Sequence, residues 1–329
     1  MIKTYFYDHA QHTMFHDVDL SDTDNLLTAP KNLLWIDLYN CTESEMNCVG
    51  ELFHFHPLAL EDCFQESPRA KIDRYDDYHF IVFHALHYNE EAKGEDEITS
   101  SELDVFLGAN YIVTIHTIAL SAVGKVARIC LKDTEMMERG PEYLLYKIID
   151  NMVDDTFPII NSLEERIDDL EDNIFVNKGQ VITEEIMALK RTIILLRKVL
   201  IAQRNIFANI TGRYASFVST ENVPYYLDIA DNLNNILDTV NTYREFVNNS
   251  TDTYYSILSG RTNEIITVLT IFSVIMMPLT VITGFFGMNV NLPGGGQPGG
   301  HWFSMYVILL GMLTLSLGML SYFRHRRWI

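Results

Sequence analysis

The sequence predicts an α+β protein with an N-terminal cytoplasmic α/β/α domain and a long helical stalk continuous with the first of two C-terminal transmembrane helices. The first observation is a pair of uncharged runs, residues 265–286 and 302–323, each 22 residues long. A helix of that length spans the ~30 Å hydrocarbon core of a bilayer. The second observation is a mixture of strand and helix patterns in residues 1–140. The third is an apolar three-four repeat that starts near Pro224 and enters the first uncharged run.

The cytoplasmic α/β domain is assigned to residues 1–140, where local patterns predict several strands and a helix. The helix covers residues 43–53, and Thr42 stands at the position of its N-cap. Strand-like runs are residues 32–38, 78–88, 103–106 and 111–116, with a Gly-Ala-Asn turn between the last two. Because strands and helices are interspersed, we expect helices to cover a largely mixed sheet.

Residues 141–220 predict an acidic helical hairpin. Its first helix carries an apolar stripe from Leu144 to Ile174 and ends at residues 177–179. A second helix is capped by residues 183–185 and runs to about Gly212. Acidic residues occupy the face of the first helix opposite its stripe, and such a face is usually only a solvated surface.

The next helix is expected to leave the cytoplasm and enter the membrane without a break. It comprises the stalk, residues 221–264, and the first transmembrane helix, residues 265–286. Between Pro224 and Pro278 the only helix-weakening residue is Gly260, which predicts one helix of about 55 residues, ~80 Å long. Its apolar stripe requires partners, so we expect self-association around an axis.

A second stripe, made of small, polar and apolar groups, follows one face of the first transmembrane helix. Its members recur at alternating steps of three and four: Asn263, Ile266, Thr270, Ser273, Met277, Thr280, Gly284 and Gly287. On a membrane helix, small and polar groups in a line serve either close helix packing or a water-filled path.

The distribution of basic residues predicts a multi-pass protein of the cell membrane with both termini in the cytoplasm. The loop of residues 287–301 contains no lysine or arginine, whereas Arg324, Arg326 and Arg327 follow the second transmembrane helix, residues 302–323. By the positive-inside rule the loop is external, and residues 324–329 form a basic cytoplasmic tail. The first residues show no basic region followed by an apolar region, so no secretory signal is expected.

The net charge of −20 limits the partners of the cytoplasmic part. Residues 265–329 hold three arginines and no acidic residue, so the negative charge resides in residues 1–264. Such a surface repels nucleic acid and attracts cations, although acidity can also serve solubility alone. The sequence has no HExxH, GxxxxGK or GxSxG motif, so neither an enzyme nor an organic cofactor is expected.

Carboxylates in apolar surroundings are the candidate cation ligands, because hard divalent cations prefer oxygen. Glu61 and Asp62 follow His-Pro-Leu-Ala-Leu, Asp150 follows Tyr-Lys-Ile-Ile, and Asp228 follows Tyr-Tyr-Leu. Sequence positions alone do not show that these four residues meet in space.

The end of the first transmembrane helix resembles the CorA family of divalent-cation channels. The residues that carry this resemblance are Met277-Pro278-Leu279-Thr280, Gly284 and Phe286-Gly287-Met288-Asn289. Other positions similar to the family are His56-Pro57-Leu58 with Glu61-Asp62, Tyr143-Leu144-Leu145-Tyr146 with Asp150, Val223-Pro224-Tyr225 with Asp228, and the terminal Arg327-Trp328-Ile329. The resemblance covers nearly the whole chain and is weakest over residues 1–50.

This resemblance implies a funnel-shaped homopentamer that takes up Mg²⁺ and Co²⁺, with Ni²⁺ as a further candidate, down the membrane potential. Gly287, Met288 and Asn289 would form the pore mouth, where oxygen atoms accept hydrogen bonds from the waters of a hydrated ion. The pore-lining and gate residues would be Asn263, Ile266, Leu269, Thr270, Ser273, Met277, Thr280 and Gly284. Among them, Ile266, Leu269 and Met277 would form a hydrophobic constriction that closes by dewetting.

The resemblance also implies that Mg²⁺ regulates the channel. Asp228 of one subunit and Glu61-Asp62 of its neighbour, with Asp150 nearby, would bind cytosolic Mg²⁺ between subunits and favour a closed funnel. The external loop departs from many relatives, because residues 290–301 include no acidic residue. An electrostatic ring at the mouth is therefore not expected, and residues 294–300 are interpreted as a flexible connector.

Two alternative functions stay open at this point. One is a Zn²⁺ transporter of the same family, since ion identity cannot be deduced from these residues. The other is a membrane-tethered cation sensor or scaffold that does not conduct. The polar stripe argues against the second alternative, because a simple anchor would face lipid on all sides.

Overall fold

A mixed β-sheet with helices on both faces, and two apolar helical segments, make up the part of the chain that the computed structural model describes. This part comprises residues 1–65, 67–89, 97–176, 180–208, 218–288, 302–326 and 328. The chain divides into two units, Met1–Thr251 and Asp252–Ile329.

The sheet belongs to the first unit and contains seven strands among the described residues. They are β1 (Ile2–Asp8), β2 (Thr13–His16), β3 (Leu33–Tyr39), β4 (Lys71–Arg74), β5 (Tyr78–Tyr88), β6 (Ile98–Gly108) and β7 (Tyr111–His116). Their spatial order is β2-β1-β3-β7-β6-β5-β4. β3 and β7 pair in parallel, and the other neighbours pair antiparallel, so the predicted mixed sheet is confirmed.

The helices of the described chain follow in sequence order. They are α1 (Thr23–Leu26), α2 (Glu43–Leu52), α3 (Pro57–Asp62), α4 (Ser121–Cys130), α5 (Glu135–Glu138), α6 (Pro141–Asp154), α7 (Phe157–Val176), α8 (Gln180–Ala208), α9 (Val223–Phe286) and α10 (Trp302–His325). α2 starts at the predicted cap: Thr42 Oγ1 accepts from Glu45 N, and the Glu45 carboxylate accepts from Thr42 N at 2.8 Å. This reciprocal pair satisfies two backbone donors that a helix start leaves unpaired.

Helices cover the sheet on both faces. Met46 of α2 and Ala59 of α3 belong to the same buried cluster as Phe80 and Phe106 of the sheet. Phe83, three residues after Phe80 on β5, contacts the other layer, where its ring lies 6.0 Å from that of Phe207 on α8. Since alternate residues of a strand face opposite sides, the sheet lies between two helical layers, which confirms the predicted α/β/α arrangement.

The acidic helical region differs from the prediction in two respects. The second helix, α8, already includes Gln180, so residues 183–185 lie inside it and do not cap it, while the predicted ends at residues 177–179 and Gly212 lie outside the described residues. The other difference concerns the first helix. The sequence pattern predicts a single helix up to residues 177–179, but the structure has two, with α6 ending at Asp154 and α7 starting at Phe157. Pro158 lies in the first turn of α7, where its missing N–H leaves no hydrogen bond unmade. Pro158 would break the ladder in the middle of a longer helix, and this explains the interruption.

The prediction of an uninterrupted helix after Pro224 is confirmed. α9 has 64 residues and continues through Pro278 to Phe286. Both α9 and α10 are long and apolar enough to cross a membrane by length and composition, with mean hydropathies of 2.5 and 1.8 in their most apolar windows. The predicted pair of C-terminal apolar helices is therefore present.

Candidate cation pathway and regulatory carboxylates

The apolar segment of α9 exposes all of the residues predicted to line the pore. The exposed residues include Asn263, Ile266, Leu269, Thr270, Ser273, Met277, Thr280 and Gly284. Thr267, Ile271, Ile275, Pro278 and Ile282 are less exposed, and helical geometry places them on the opposite face. The predicted stripe is therefore available to line a path or to contact another subunit.

The hydroxyl groups of this stripe donate to the backbone of their own helix. Thr270, Ser273 and Thr280 each donate to the carbonyl four residues earlier, at 2.7, 2.8 and 2.9 Å respectively. Because a hydroxyl has one proton and two lone pairs, each of these groups presents only acceptor capacity away from the helix. The waters around a divalent cation point their hydrogens outward, so a line of acceptors matches a hydrated cation.

Two of the three residues predicted for the pore mouth lie at the end of α9. Gly287 N donates to the Thr283 carbonyl at 2.8 Å, which continues the last helical turn. A Cβ added to Gly287 would lie 2.9 Å from that same backbone oxygen, so the close turn requires glycine. Met288 is exposed. Asn289 and the loop 290–301 lie outside the described residues.

In the first unit, α3 carries Glu61 and Asp62, and aromatic contacts hold it on the sheet. Phe55, directly before α3, stacks on Phe106 of β6 with ring centroids 3.9 Å apart. The Tyr78 hydroxyl accepts from His56 N at 2.8 Å. Strand residues thus fix the start of α3, which positions the two carboxylates at its end.

The two carboxylates of α3 have different partners. Asp62 Oδ2 lies 2.5 Å from Lys71 Nζ, and Lys71 also contacts Asp73 at 2.8 Å. Glu61 is exposed, and its Oε1 accepts from Gln65 Nε2 at 3.1 Å. Asp62 is thus neutralised within the chain, whereas the one side-chain partner of Glu61 among the described residues is an uncharged amide.

Asp150 and Asp228 both lie close enough to one tyrosine, Tyr146, for their charges to act on its hydroxyl. Burial raises the pKa of the Tyr146 hydroxyl, and the charges of Asp150 and Asp228 raise it further. Asp150 Oδ2 also lies 3.4 Å from Lys147 Nζ, whereas Asp228 is exposed on α9. The structure therefore brings these two predicted residues to the same region of the first unit.

A clamp at Glu142 joins the start of α6 to the start of α9. The Glu142 carboxylate accepts from Ser219 N and Ser219 Oγ at 2.7 Å and from Asn222 Nδ2 at 2.9 Å. The Glu142 carbonyl accepts from the hydroxyl of Tyr226, which is fully buried, at 2.7 Å. Since α6 carries Asp150 and α9 carries Asp228, this clamp fixes the relative positions of those carboxylates.

The four carboxylates do not form one site inside a single chain. Among the residues that the structure describes, no three or more histidine, cysteine, aspartate or glutamate side chains are grouped closely enough to hold a metal ion. The pair on α3 and the pair around Tyr146 are therefore separate candidate half-sites, each with carboxylate oxygens of the kind that Mg²⁺ prefers.

Comparison with known proteins identifies the family. The model of the CorA-like Mg²⁺ transporter protein family matches residues 30–326. The chain belongs to the CorA family. Its members are ion transporters rather than enzymes, so this chain is a membrane transporter of divalent cations.

Individual CorA-family proteins agree with this membership. The chain is 32% identical to the Bacillus subtilis protein YfjQ over 295 residues, which cover 89% of each. It is 30% identical to the cobalt/magnesium transport protein CorA of Thermotoga maritima over 302 residues, 90% of this chain and 83% of the relative. The complete structure of the CorA magnesium transporter from Methanocaldococcus jannaschii matches 100% of this chain and 99% of its own, with a TM-score of 0.83 at 22% identity, which shows a shared fold.

Sequence analysis of this CorA-family chain missed the lysines beside the candidate ligands. Lys147 stands three residues before Asp150, a spacing at which helical side chains meet, so this contact could have been found. Lys71 lies on the edge strand β4, and its contact with Asp62 depends on the pairing of β4 with β5. No local signal in the sequence indicates that pairing.

A buried acidic pair near α3 predicts a pH-dependent stability. Asp104 is buried, and burial together with the neighbouring Glu102 raises its pKa well above the usual range. Asp104 Oδ1 and Glu102 Oε1 are buried without a hydrogen-bond partner among the described atoms, which adds to the cost of a negative charge on Asp104. A raised pKa in the folded state favours folding below the unfolded value of about 3.9, and this contribution is lost as the pH rises through the folded value.

The difference in melting temperature between the variant Asp104→Asn and the wild type is therefore expected to shift in favour of the variant as the pH rises from 5 to 8. Thermal unfolding of the detergent-solubilised protein measures this difference. The exposed Asp76→Asn variant is the control and should follow the wild type at each pH. A constant difference in melting temperature between Asp104→Asn and the wild type would contradict the raised pKa of Asp104.

Proposed function

We propose that this chain is the subunit of a homopentameric channel that takes up Mg²⁺ and Co²⁺ into the cell, with Ni²⁺ as a further candidate. The observation that carries the proposal is the exposed line of acceptor groups on α9, since Thr270, Ser273 and Thr280 turn their hydroxyl protons to the helix. Five such lines around an axis would surround a path with oxygen atoms facing a hydrated cation. No cofactor or ATP is needed, because a divalent ion gains ~4.6 kcal/mol in crossing 100 mV.

The proposed topology places residues 1–264 and the tail 324–329 in the cytoplasm. Residues 265–286 and 302–323 would cross the cell membrane, and residues 287–301 would form the external loop. Gly287, Met288 and Asn289 would then form the outer mouth, where five copies of Asn289 bind the water shell of the incoming ion. Further inward, Ile266, Leu269 and Met277 would form a hydrophobic constriction, and the path would be closed to ions when water leaves this constriction.

The proposed regulation uses the two half-sites as an intersubunit Mg²⁺ sensor. Asp228, with Asp150 nearby, would lie opposite Glu61 and Asp62 of the next subunit. At high cytosolic Mg²⁺, bridging ions would hold together carboxylates that otherwise repel each other, which favours a closed state. When Mg²⁺ falls, this repulsion would loosen the interface and allow opening.

Uptake by proteoliposomes loaded with a fluorescent indicator tests the transport function directly. Mg²⁺, Co²⁺, Ni²⁺ and Zn²⁺ are supplied separately, with an inside-negative potential set by K⁺ and valinomycin. Entry of Mg²⁺ and Co²⁺ supports the proposal. Entry of Zn²⁺ alone would identify a zinc transporter, and no entry of any ion would identify a non-conducting sensor or scaffold.

The acceptor line makes a specific prediction for the same assay. The triple variant Thr270→Val, Ser273→Ala and Thr280→Val removes three acceptors with little change in side-chain size, so Mg²⁺ entry should fall at least about tenfold, at roughly 1 kcal/mol for each lost hydrogen bond.

Thr267→Val is the matched control for this triple variant. Thr267 makes the same kind of hydrogen bond, to the Asn263 carbonyl at 2.7 Å, but it lies on the less exposed face of α9, away from the predicted pore-lining residues. Its replacement should leave Mg²⁺ entry unchanged. Equal losses in the triple variant and in Thr267→Val would show that the hydroxyls stabilise the helix and do not line the path.

A further inference from the structure

We propose that Lys71 and Lys147 compete with the regulatory cation for its carboxylates and thereby set the Mg²⁺ concentration at which the channel closes. This inference rests on the intersubunit sensor of the proposed function and adds two residues to it. Among the four candidate ligands, Asp62 and Asp150 each contact a lysine of their own chain. No ion pair to Glu61 or Asp228 occurs among the described residues.

Lys71 is held at Asp62 by its position on β4. Its Nζ lies 2.5 Å from Asp62 Oδ2 and 2.8 Å from Asp73 Oδ2, and the Lys71 side chain is 33% exposed. The same ammonium lies 5.3 Å from the ring centroid of Phe80. Since Asp73 and the Phe80 face remain as partners, Lys71 can leave Asp62 without becoming an unpaired charge.

Lys147 has a comparable arrangement at Asp150. Its Nζ lies 3.4 Å from Asp150 Oδ2, 4.6 Å from the ring centroid of Tyr146 and 5.9 Å from that of Tyr143. The two tyrosines are buried and fixed, so they offer the ammonium an aromatic surface beside the carboxylate. A cation that binds Asp150 can displace Lys147 toward the tyrosines.

The additional partners of Lys71 and Lys147 allow each lysine to be displaced from its carboxylate by a cation, so the carboxylate is not permanently neutralised. A lysine whose only partner was the carboxylate would have to be expelled into water or would block the site. Here each ammonium exchanges one partner for another close by, so the divalent cation meets a limited opposing free energy. Partly exposed ion pairs of this kind change an equilibrium by about 1.5- to 5-fold.

Neutral replacement of the lysines tests this competition in the full-length reconstituted chain. The variants are Lys71→Met and Lys147→Met. Each should lower the internal Mg²⁺ concentration for half-inhibition of uptake by about 1.5- to 5-fold, and together by the product of the two factors. A second readout, independent of transport, is the Mg²⁺ concentration that gives half of the maximal rise in melting temperature, and it should shift by the same factors.

Two further variants serve as controls. Lys125→Met removes a similar ion pair, Lys125 Nζ to Asp155 Oδ1 at 2.6 Å, that involves none of the four candidate ligands, so both midpoints should stay at the wild-type value. Lys71→Arg keeps the positive charge and should also keep the wild-type midpoints, which separates a charge effect from damage to β4.

The outcomes separate this inference from the function on which it rests. The competition is overturned if the Mg²⁺ midpoints of Lys71→Met and Lys147→Met stay unchanged or rise, or if the midpoints of Lys125→Met fall by as much. In either case a wild type that responds to Mg²⁺ still supports the sensor. If the wild type shows no Mg²⁺ response in either readout, the sensor itself is wrong and the competition falls with it.

Discussion

Replacing Asp228 with lysine is expected to raise the internal Mg²⁺ concentration for half-inhibition of uptake at least about tenfold. Asp228 is exposed near the start of α9, and its charge reaches Tyr146 beside Asp150. An ammonium at this position removes a ligand from the proposed sensor and repels a divalent cation from the remaining carboxylates. Proteoliposomes with a range of internal Mg²⁺ concentrations measure the shift.

Asp238→Lys is the matched control, because Asp238 is also exposed on α9 and its replacement changes the net charge equally. We expect its inhibition curve to coincide with that of the wild type. An inhibition curve for Asp228→Lys that also coincides with the wild type would exclude Asp228 from the sensor.

Replacing Phe106 with alanine is expected to lower the free energy of unfolding by about 3–5 kcal/mol. Phe106 is fully buried, stacks on Phe55 at 3.9 Å and lies 4.8 Å from the ring of Phe80. Since Phe55 directly precedes α3, the cavity would also loosen the helix that carries Glu61 and Asp62. Urea unfolding of the detergent-solubilised chain, followed by circular dichroism, measures the loss.

The control for this substitution is Phe15→Ala on the edge strand β2. Phe15 is 41% exposed, and its ring lies 6.2 Å from that of Phe6, so its replacement should cost at most about 1 kcal/mol. Similar losses at Phe15 and Phe106 would show that the aromatic stack under α3 is not a major source of stability.

Elements with strong local signals were predictable from the sequence. β5 and β7 have long apolar runs, and α2 has a clear N-cap residue. α9 keeps one apolar stripe over many turns. β1, β2 and β4 were not predicted. β2 and β4 have four residues each, and all three strands depend on partners that are not evident from local sequence.

The candidate site was predictable to a similar extent. Helical periodicity identified the face of α9 that carries Thr270, Ser273 and Thr280, because spacing along one helix determines which residues share a face. It could not give the direction of their hydroxyl protons, which depends on the backbone carbonyl within reach. The contact of Lys71 with Asp62 and the approach of Asp150 and Asp228 to Tyr146 are tertiary, and joining the two half-sites requires a second subunit.

The Glu142 clamp has a consequence for the shape of the response to Mg²⁺. Glu142 of α6 is hydrogen-bonded to Ser219 and Asn222, directly before α9. The part of α9 that carries Asp228 therefore cannot shift without α6. In the proposed ring, α6 and this part of α9 would therefore move as one body at every interface. A cation that tightens one subunit interface would reorient this body, which also contributes to the next interface. Inhibition by Mg²⁺ should therefore be sigmoidal, with a Hill coefficient above one. Cutting the clamp with Glu142→Ala should make the curve shallower.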